Sequence, residues 1–415
     1  MALSIVVCST QLFVQGAFGY ILIPLHLVGD TFGQSSTEAT RMTWHVGGYS
    51  LTVGALILIA GKLGDMYGSK EILILGWTWF GVWSVIGNCS AFTKSPIFSD
   101  TARALQGIGP AFLLPNALAI AGGTYPPGKK NMVFSIFAMA APLGCFTAGV
   151  IGAALAEYVW WPWVMWLFSI GCFIIAMIAL WLIPSDSPLG RRSLGYSFDY
   201  TGSALGVIGL LLLNISWNQA PIDGWTTPYV YLLRILGFIL LGLFFLQEKR
   251  AAEPILDISI FNRNVAAVLL TKGLGWSSFG VWFYYLFQFI QQFRGVSPLA
   301  SAVQFAPGAI PGILAALTTP YLMVKISSGW LMAIACASFL VGSNISASCS
   351  MDISFPASAT ILSDSVPVKH QGAAASLVNT VVNYSIAIGL GIAGSVETEV
   401  SHEGADLLLG YRAAL

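Results

Sequence analysis

Roughly thirteen apolar segments, each close to the length of about 20 residues that a 30 Å bilayer core requires, run through this chain of 415 residues. Residues 5–28, 72–92 and 163–183 are clear examples. Lipid offers no hydrogen-bond partners to a peptide backbone, so each segment is predicted to be a helix. Hydrophobic residues make up 56% of the sequence and charged residues 9%, which is more apolar than a soluble core needs. We predict an all-α, multi-pass membrane protein.

The predicted spans cover residues 5–28, 42–61, 72–92, 98–123, 132–156, 163–183, 200–217, 229–247, 264–290, 299–323, 329–347, 350–363 and 374–396. The twelfth is too short, because residues 329–363 must hold two crossings and a turn where two crossings alone need about 40 residues. We therefore expect the C-terminal half to be incomplete, with further coding sequence near residues 345–351 and after Leu415, where a fourteenth helix would return.

Charge and residue spacing exclude several classes of function. The 18 Lys and Arg balance the 18 Asp and Glu without a long basic run, so no nucleic-acid partner is predicted. The six cysteines are scattered without metal-ligand spacing, and we predict neither a metal nor a cofactor. The segments contain no paired acids, no His cluster and no Ser/His/Asp set, so an enzyme is not expected. No glycine-rich phosphate loop is present, so ATP is not the predicted energy source.

Basic residues concentrate in every second loop. Eleven fall in one set of loops and four in the other, which places the first set and the N-terminus in the cytoplasm. The first set is Lys62, Lys70, Lys129, Lys130, Arg191, Arg192, Lys249, Arg250, Arg263, Lys325 and Lys369, and the second is Arg41, Lys94, Arg294 and Arg412. Arg103, Arg234 and Lys272 remain inside segments.

Three motifs lie in register with the segments. After the second segment comes Gly61-Lys-Leu-Gly64-Asp65-Met-Tyr-Gly68-Ser-Lys70, predicted to be a short cytoplasmic turn. The fourth segment carries Arg103-Ala-Leu-Gln106-Gly107-Ile-Gly109-Pro110, and the fifth carries Ala141-Pro142-Leu-Gly144 followed by Gly149 and Gly152. Together they resemble motifs A, B and C of the major facilitator superfamily, in its fourteen-helix drug:proton antiporter branch. Among its members the chain is most similar to the fungal aminotriazole-resistance and boron-efflux type.

This resemblance implies a major-facilitator fold of two six-helix bundles, residues 1–183 and 263–415, with an inserted two-helix module at residues 184–262. It also implies alternating access about a midplane site. The conformational motif residues carried over are Gly61, Gly64, Asp65, Gly68, Lys70, Pro142, Gly144 and Gly149. Asp65 is expected to face the electropositive N-terminus of the helix that opens at Gln371-Gly372 and to latch the outward-open state. The alternative is an ordinary loop acid.

The sequence departs from that branch at several positions. The branch commonly places an Asp nine residues before the proline of its first helix, and counting back from Pro24 gives Gln15. Motif A has Met66 for an Arg, and motif C has Ala141 for a Gly and Cys145-Phe146 for paired glycines. These departures keep open a proton-independent facilitator or uptake carrier. The expected incompleteness of the C-terminal half keeps open a nontransporting membrane protein.

Polar residues inside the segments mark the predicted substrate and coupling pathway: Gln15, His45, Arg103, Gln106, Lys272, Trp276, Asn379 and Asn383. A charge inside the bilayer costs about 2.5–3.5 kcal/mol or more, so charged members should face a polar cavity. For Arg103 and Lys272 the alternative is snorkelling to an interface. For His45 it is a structural hydrogen bond, and for the two asparagines a link between helices.

These features predict a secondary transporter that exports small polar solutes or drugs in exchange for protons. Its partners would be a small-molecule substrate, protons and the lipid bilayer. We expect a monomer in the plasma membrane. Substrate identity lies beyond the sequence.

Overall fold

The computed structural model describes residues 2–33, 39–184, 198–251, 254–256, 258, 261–341, 344–365, 371–401 and 406–415. These residues form helices and no strand: α1 (Ala2–Leu22), α2 (Leu25–Thr31), α3 (Ala39–Tyr67), α4 (Ser69–Asn88), α5 (Ser90–Thr93), α6 (Pro96–Gln106), α7 (Ile108–Thr124), α8 (Pro127–Tyr158), α9 (Pro162–Leu182), α10 (Tyr200–Asp223), α11 (Pro228–Glu248), α12 (Arg263–Arg294), α13 (Pro298–Lys325), α14 (Ser328–Val341), α15 (Asn344–Asp364), α16 (Gln371–Val400) and α17 (Leu407–Ala414). The predicted all-α architecture is confirmed.

Ten helical stretches in the described part of the chain are long and apolar enough to cross a membrane. They correspond to ten of the predicted spans. The other three predicted spans fall on α12, α14 and α15, whose lengths are 32, 14 and 21 residues. Lipid-facing surface is evident on α11, where Leu232, Ile235, Phe238 and Ile239 are all more than half exposed.

The predicted boundary between the eleventh and twelfth spans is wrong. α15 begins at Asn344 and has a full 21 residues, whereas α14 has only 14 and extends about 21 Å. Hydropathy missed the start of α15 because this helix is rich in serine. Ser350, Ser354 and Ser358 are buried within the protein, and the last two donate to carbonyls of their own helix. These hydroxyls never meet lipid, so they do not prevent the crossing.

Two predicted spans are interrupted helices. The first ends at Leu22 and resumes at Leu25, because Pro24 lacks the amide proton that would continue the ladder. The fourth breaks at Gly107, between α6 and α7. A side chain at Gly107 would collide with the Tyr49 carbonyl and the Thr52 hydroxyl of α3. The glycine therefore sets how closely α3 approaches this break.

The N-terminal bundle holds α1 to α9, and its tightest contact joins α1 to α8. A Cβ at Gly144 would overlap the Leu12 backbone, and one at Gly19 would overlap the Cys145 backbone. Two helices that lack side chains at their crossing can bring their backbones into contact. The glycines of the predicted motif C therefore serve helix packing.

The two bundles meet along two helix pairs. α3 packs on α16, where Gly54 lies against the Tyr384 amide, and α8 meets α13, where Pro142 lies near Gly312. Of the inserted helices, α10 packs against both members of the first pair, and α11 packs on α10. Tyr384 of α16 donates to the Leu210 carbonyl of α10.

Candidate functional site: a central cavity between the bundles

A small cavity of about 40 Å³ lies between the two bundles. Helices α1, α3 and α8 form one wall, and α12, α15 and α16 form the other. The lining residues are Val14, Gln15, Phe18, Tyr49, Ser50, Ala141, Cys145, Trp276, Phe279, Phe283, Met351, Val382, Asn383 and Ile386. A water occupies about 10–15 Å³ on this measure, so the cavity holds only a few waters in this conformation.

Aromatic rings dominate the wall and reach across the interface. Phe18 of α1 stacks on Phe283 of α12 at 6.0 Å between centroids, and Phe283 stacks on Phe279 at 5.5 Å. The polar lining groups are the amides of Gln15 and Asn383 and the hydroxyls of Ser50 and Tyr49. The described lining contains no carboxylate. Such a surface suits a small solute with a flat apolar face and a few hydrogen-bonding atoms.

Hydrogen bonds between the bundles close the end of the molecule at which α1 and α12 finish, which we call the outer end. Gln291 Nε2 donates to the Ile23 carbonyl at 2.7 Å, and the Leu299 amide donates to Glu157 Oε2 at 3.2 Å. A third contact joins the Gln292 amide to the His26 ring at 3.2 Å. These contacts tie the α1–α2 junction, α2 and α8 to α12 and α13, so the two bundles are joined at the outer end.

Arg103 is a buried tie between three helices and does not line the cavity. Its Nε donates to the His45 carbonyl at 3.1 Å, and Nη2 donates to the Ala17 carbonyl at 2.9 Å. Nη1 donates to the Tyr20 hydroxyl and to the side-chain oxygen of Gln106. With 1% exposure the side chain cannot snorkel to a membrane interface. Its donors hold α1 and α3 against α6.

Gln106 and His45 lie close to Arg103 and also outside the cavity lining. Gln106 Nε2 donates to Ser84 Oγ at 2.6 Å and to the Tyr20 hydroxyl at 3.1 Å. The buried His45 ring contacts the partly exposed Asp100 carboxylate through Nδ1. Asp100, one turn before Arg103, was not singled out in the sequence, where it reads as an ordinary acid at the start of a segment.

Lys272 occupies a matching place in the other bundle. Its Nζ donates to Ser354 Oγ at 3.0 Å and lies 4.7 Å from the Trp276 ring and 5.0 Å from the Phe355 ring. Trp276 donates to the same Ser354 oxygen at 3.3 Å and lines the cavity. The carboxylate of Asp352, buried on α15, attracts the Lys272 ammonium. The alternative of a snorkelling lysine is wrong, because Lys272 is 1% exposed.

The two predicted asparagines take different positions. Asn383 lines the cavity and donates to the backbone carbonyl of Asn379 at 3.0 Å. Asn379 lies one turn earlier on α16, outside the lining. Of the eight predicted pathway residues, the structure therefore brings Gln15, Trp276 and Asn383 to the cavity, and it sets the other five around it.

The motif A residues are mostly helical, and the predicted short turn is wrong. α3 continues to Tyr67, and within it Gly61 packs against Ser376 of α16 and Gly64 against Asn116 of α7. Only Gly68, with φ of +105°, leaves the helix before α4. Lys70 is already in the first turn of α4.

Asp65 is exposed near the end of α3, one turn after Lys62. The latch predicted for this acid involves Gln371 and Gly372, whose side chains lie outside the described ones. In motif C, Pro142 faces α13, and Gly149 contacts Ile23 near the end of α1.

Comparison with known proteins identifies the family. A family model described as Major Facilitator Superfamily matches residues 7–389. The chain belongs to the Major Facilitator Superfamily. It is a membrane transporter rather than an enzyme, as the sequence predicted.

The multidrug transporter mdr3 of Aspergillus fumigatus is 65% identical over 431 residues, covering 99% of this chain and 75% of mdr3. The low affinity ammonium transporter of Saccharomyces cerevisiae is 45% identical, covering 98% of this chain and 83% of that protein. The aminotriazole resistance protein of the same yeast is 37% identical, and the match covers 98% of this chain and 78% of that protein. The predicted resemblance to the fungal aminotriazole-resistance type is confirmed.

A solved structure shows the same fold at low sequence identity. The nucleoside transporter NupG, in a mutant form, superposes with a TM-score of 0.63 at 12% identity, covering 99% of this chain and 97% of NupG. The major-facilitator fold predicted from the motifs is thus confirmed.

Sequence reasoning missed several residues of this transporter's cavity and its surroundings. Phe18, Phe279 and Phe283 form much of the wall, yet an apolar ring in an apolar segment gives no signal by itself. Asp352 did offer a signal, since it is an acid in a membrane segment. It was overlooked because the segment containing it was predicted to be too short to cross.

Proposed function

We propose that this chain exports small uncharged organic solutes by alternating access, driven by inward movement of protons. The central cavity carries the proposal, because both bundles line it and its wall combines aromatic rings with amides. We further propose a monomer in the plasma membrane with a cytoplasmic N-terminus, as the loop charges predict. The outer end defined above then faces the outside.

Alternating access is supported by the small size of the cavity and by its closed outer end. A cavity of about 40 Å³ is too small for a drug-sized molecule, so the bundles must separate before a solute enters. The three contacts at the outer end join one bundle to the other, and a rocking motion would break them together. Such motion about a midplane site is general for transporters built from repeats.

The electrostatics favour an uncharged solute over a cation. Arg103 and Lys272 lie behind the cavity-lining rings of Tyr49 and Trp276, at 4.6 and 4.7 Å from their centroids. Each cation draws on the face of its ring, which leaves that ring less able to attract a second cation from the cavity. The described lining residues include no carboxylate that would attract a cation in place of these rings. A neutral heterocycle such as aminotriazole therefore fits the wall better than ammonium does.

A facilitator or uptake carrier without proton coupling is the second candidate. Gln15 favours it, since this cavity-lining position of α1 carries an amide in place of an acid that could exchange protons. The two candidates differ in their energy source, and so a proton gradient separates them.

Transport of radiolabelled aminotriazole, of a radiolabelled ammonium analogue and of boric acid enriched in a stable boron isotope tests the proposal in proteoliposomes that contain the purified chain. We expect saturable aminotriazole transport that accumulates against a gradient only when a pH difference is imposed, with little transport of the cation. Equal equilibration with and without the pH difference would favour the facilitator. No flux of any solute would support a nontransporting protein.

A further inference from the structure

An acid and a lysine lie buried together behind the C-terminal wall of the cavity. Lys272 on α12 is 1% exposed and Asp352 on α15 is 6% exposed. Burial disfavours the charged form of each group, and the opposite charge of the other offsets part of that cost. The function proposed above uses Lys272 only as a cation behind the wall and assigns no role to Asp352.

The Asp352 carboxylate is incompletely hydrogen-bonded. Its buried Oδ2 accepts no hydrogen bond, and it points at Gly312 of α13, only 2.7 Å from where a Cβ would lie. An ionised carboxylate that lacks partners in a low-dielectric interior is unfavourable, and binding a proton relieves that state. The geometry therefore provides a proton acceptor inside the membrane.

The other ionisable groups around this pair are thiols. Cys145 of α8 and Cys349 of α15 lie near Asp352, and Cys336 of α14 lies near Lys272. α13 presents Gly312, and no ionisable group of α16 is among those that act on Asp352. Among the described residues, Lys272 is therefore the charged side chain that interacts electrostatically with the Asp352 carboxylate.

Lys272 links the acid to the solute cavity. Its ammonium lies 4.7 Å from the Trp276 ring, and both side chains donate to Ser354 Oγ. Trp276 in turn lines the cavity, as does Met351, the neighbour of Asp352 in sequence. Lys272 thus lies between the Asp352 carboxylate and the cavity-lining ring of Trp276, so a change of charge on Asp352 can reach the cavity wall through this one side chain.

We propose that Asp352, balanced by Lys272, is the proton-binding group that couples proton movement to transport. This inference rests on the proposed proton-driven function. In the step, hydronium from the outer aqueous phase gives a proton to Oδ2: one O–H bond of hydronium breaks, the O–H bond of the carboxylic acid forms, and water is left behind. The neutral pair becomes positive, the unbalanced ammonium destabilises the packing around Trp276 and Ser354, and release of the proton to the cytoplasm restores the pair.

Two measurements on the full chain test this role. The first compares pH-driven accumulation of aminotriazole with its exchange across the membrane in the absence of any gradient. The second needs no solute: nitroxide labels at Tyr158→Cys and Arg294→Cys, in a chain whose native cysteines are replaced, report the separation of α8 and α12 at the outer end as the pH is varied. Glu399→Gln, which neutralises an exposed acid on α16, is the matched control.

We expect Asp352→Asn to lower pH-driven accumulation by about tenfold or more while exchange stays within about twofold of wild type. The pH dependence of the label separation should disappear in the same variant. In Lys272→Gln the unpaired acid should bind its proton more readily, which moves the midpoint of that transition up by about one pH unit or more. Glu399→Gln should leave both measurements unchanged.

A pH-dependent separation that persists in Asp352→Asn, or an unchanged midpoint in Lys272→Gln, overturns the proposal. If Asp352→Asn does not fold because Lys272 is left unpaired, the Asp352→Asn/Lys272→Gln variant removes both charges and must still lose the transition. Absence of aminotriazole flux in the wild type would contradict the proposed function instead, and the label measurement would still decide the role of the pair.

Discussion

The guanidinium of Arg103 lies 4.6 Å from the ring centroid of Tyr49, so a buried cation is separated from the solute cavity by one aromatic ring. The opposite bundle repeats this arrangement with Lys272 behind Trp276 at 4.7 Å. Each bundle thus places a positive charge next to the cavity without exposing it there. This arrangement is the basis of the proposed preference for uncharged solutes.

Replacing Arg103 with Ala should abolish transport and also weaken the fold. Its loss leaves the Ala17 and His45 carbonyls without this donor, and each buried group left unpaired costs roughly 1–3 kcal/mol. Removal of a charge does not hinder membrane insertion. Thermal unfolding in detergent and aminotriazole flux at equal surface abundance measure the two effects. Arg103→Lys, which keeps the charge but loses most of the bonds, should be intermediate. Wild-type flux in Arg103→Ala would contradict this role.

Replacing Asp65 with Asn should shift the balance between outward-open and inward-open states. The charge is removed while the shape is kept, so a contact with the N-terminus of α16 worth about 0.3–1 kcal/mol would weaken. Accessibility of an engineered cysteine at Tyr158 to a membrane-impermeant thiol reagent reports the change. Glu71→Gln in the first turn of α4 is the control. Identical labelling in both variants would make Asp65 an ordinary surface acid.

Replacing Gly144 with Ala should destabilise the N-terminal bundle, because a Cβ there overlaps the Leu12 backbone. Backbones of α1 and α8 would have to separate, and the contact between helices would be lost. At Gly242 of α11 a Cβ meets nothing within 4 Å, so Gly242→Ala should be neutral or stabilise by up to about 1 kcal/mol. The pair is compared by thermal unfolding. Equal melting temperatures for the two variants would show that α1 and α8 can separate enough to accept the Cβ without loss of stability.

Replacing Gln291 with Leu should favour opening of the outer end. The variant loses the bond to the Ile23 carbonyl, which joins the bundles, and the bond to Ser301, which lies within the C-terminal bundle. Loss of the first bond, about 0.5–1.5 kcal/mol net, changes the open population by roughly two- to tenfold. The label pair at positions 158 and 294 measures the separation. Ser338→Ala, on an exposed hydroxyl of α14 that bonds only its own helix, serves as the control. An unchanged separation would mean that other contacts hold this end closed.

The sequence by itself determined that this chain is helical, lies in a membrane and belongs to its family. Lipid forces each segment to satisfy its own backbone, and so a local property, the run of apolar residues, is enough to reveal the helix. The same local rule failed at α15, where buried serines made a crossing helix look too short. Gln15, Trp276 and Asn383, which the sequence analysis assigned to the pathway, line the central cavity, and their part in transport stays a prediction.

Tertiary structure decided which buried charges meet. Lys272 and Asp352 are on separate helices, far apart in the chain, and Arg103 ties helices whose spacing is set at Gly107. The rotation of each helix about its axis depends on packing against all its neighbours, and no run of residues encodes it locally. For that reason the cations were recognised in the sequence, but their place behind Tyr49 and Trp276, and the acid beside Lys272, became apparent only in the folded protein.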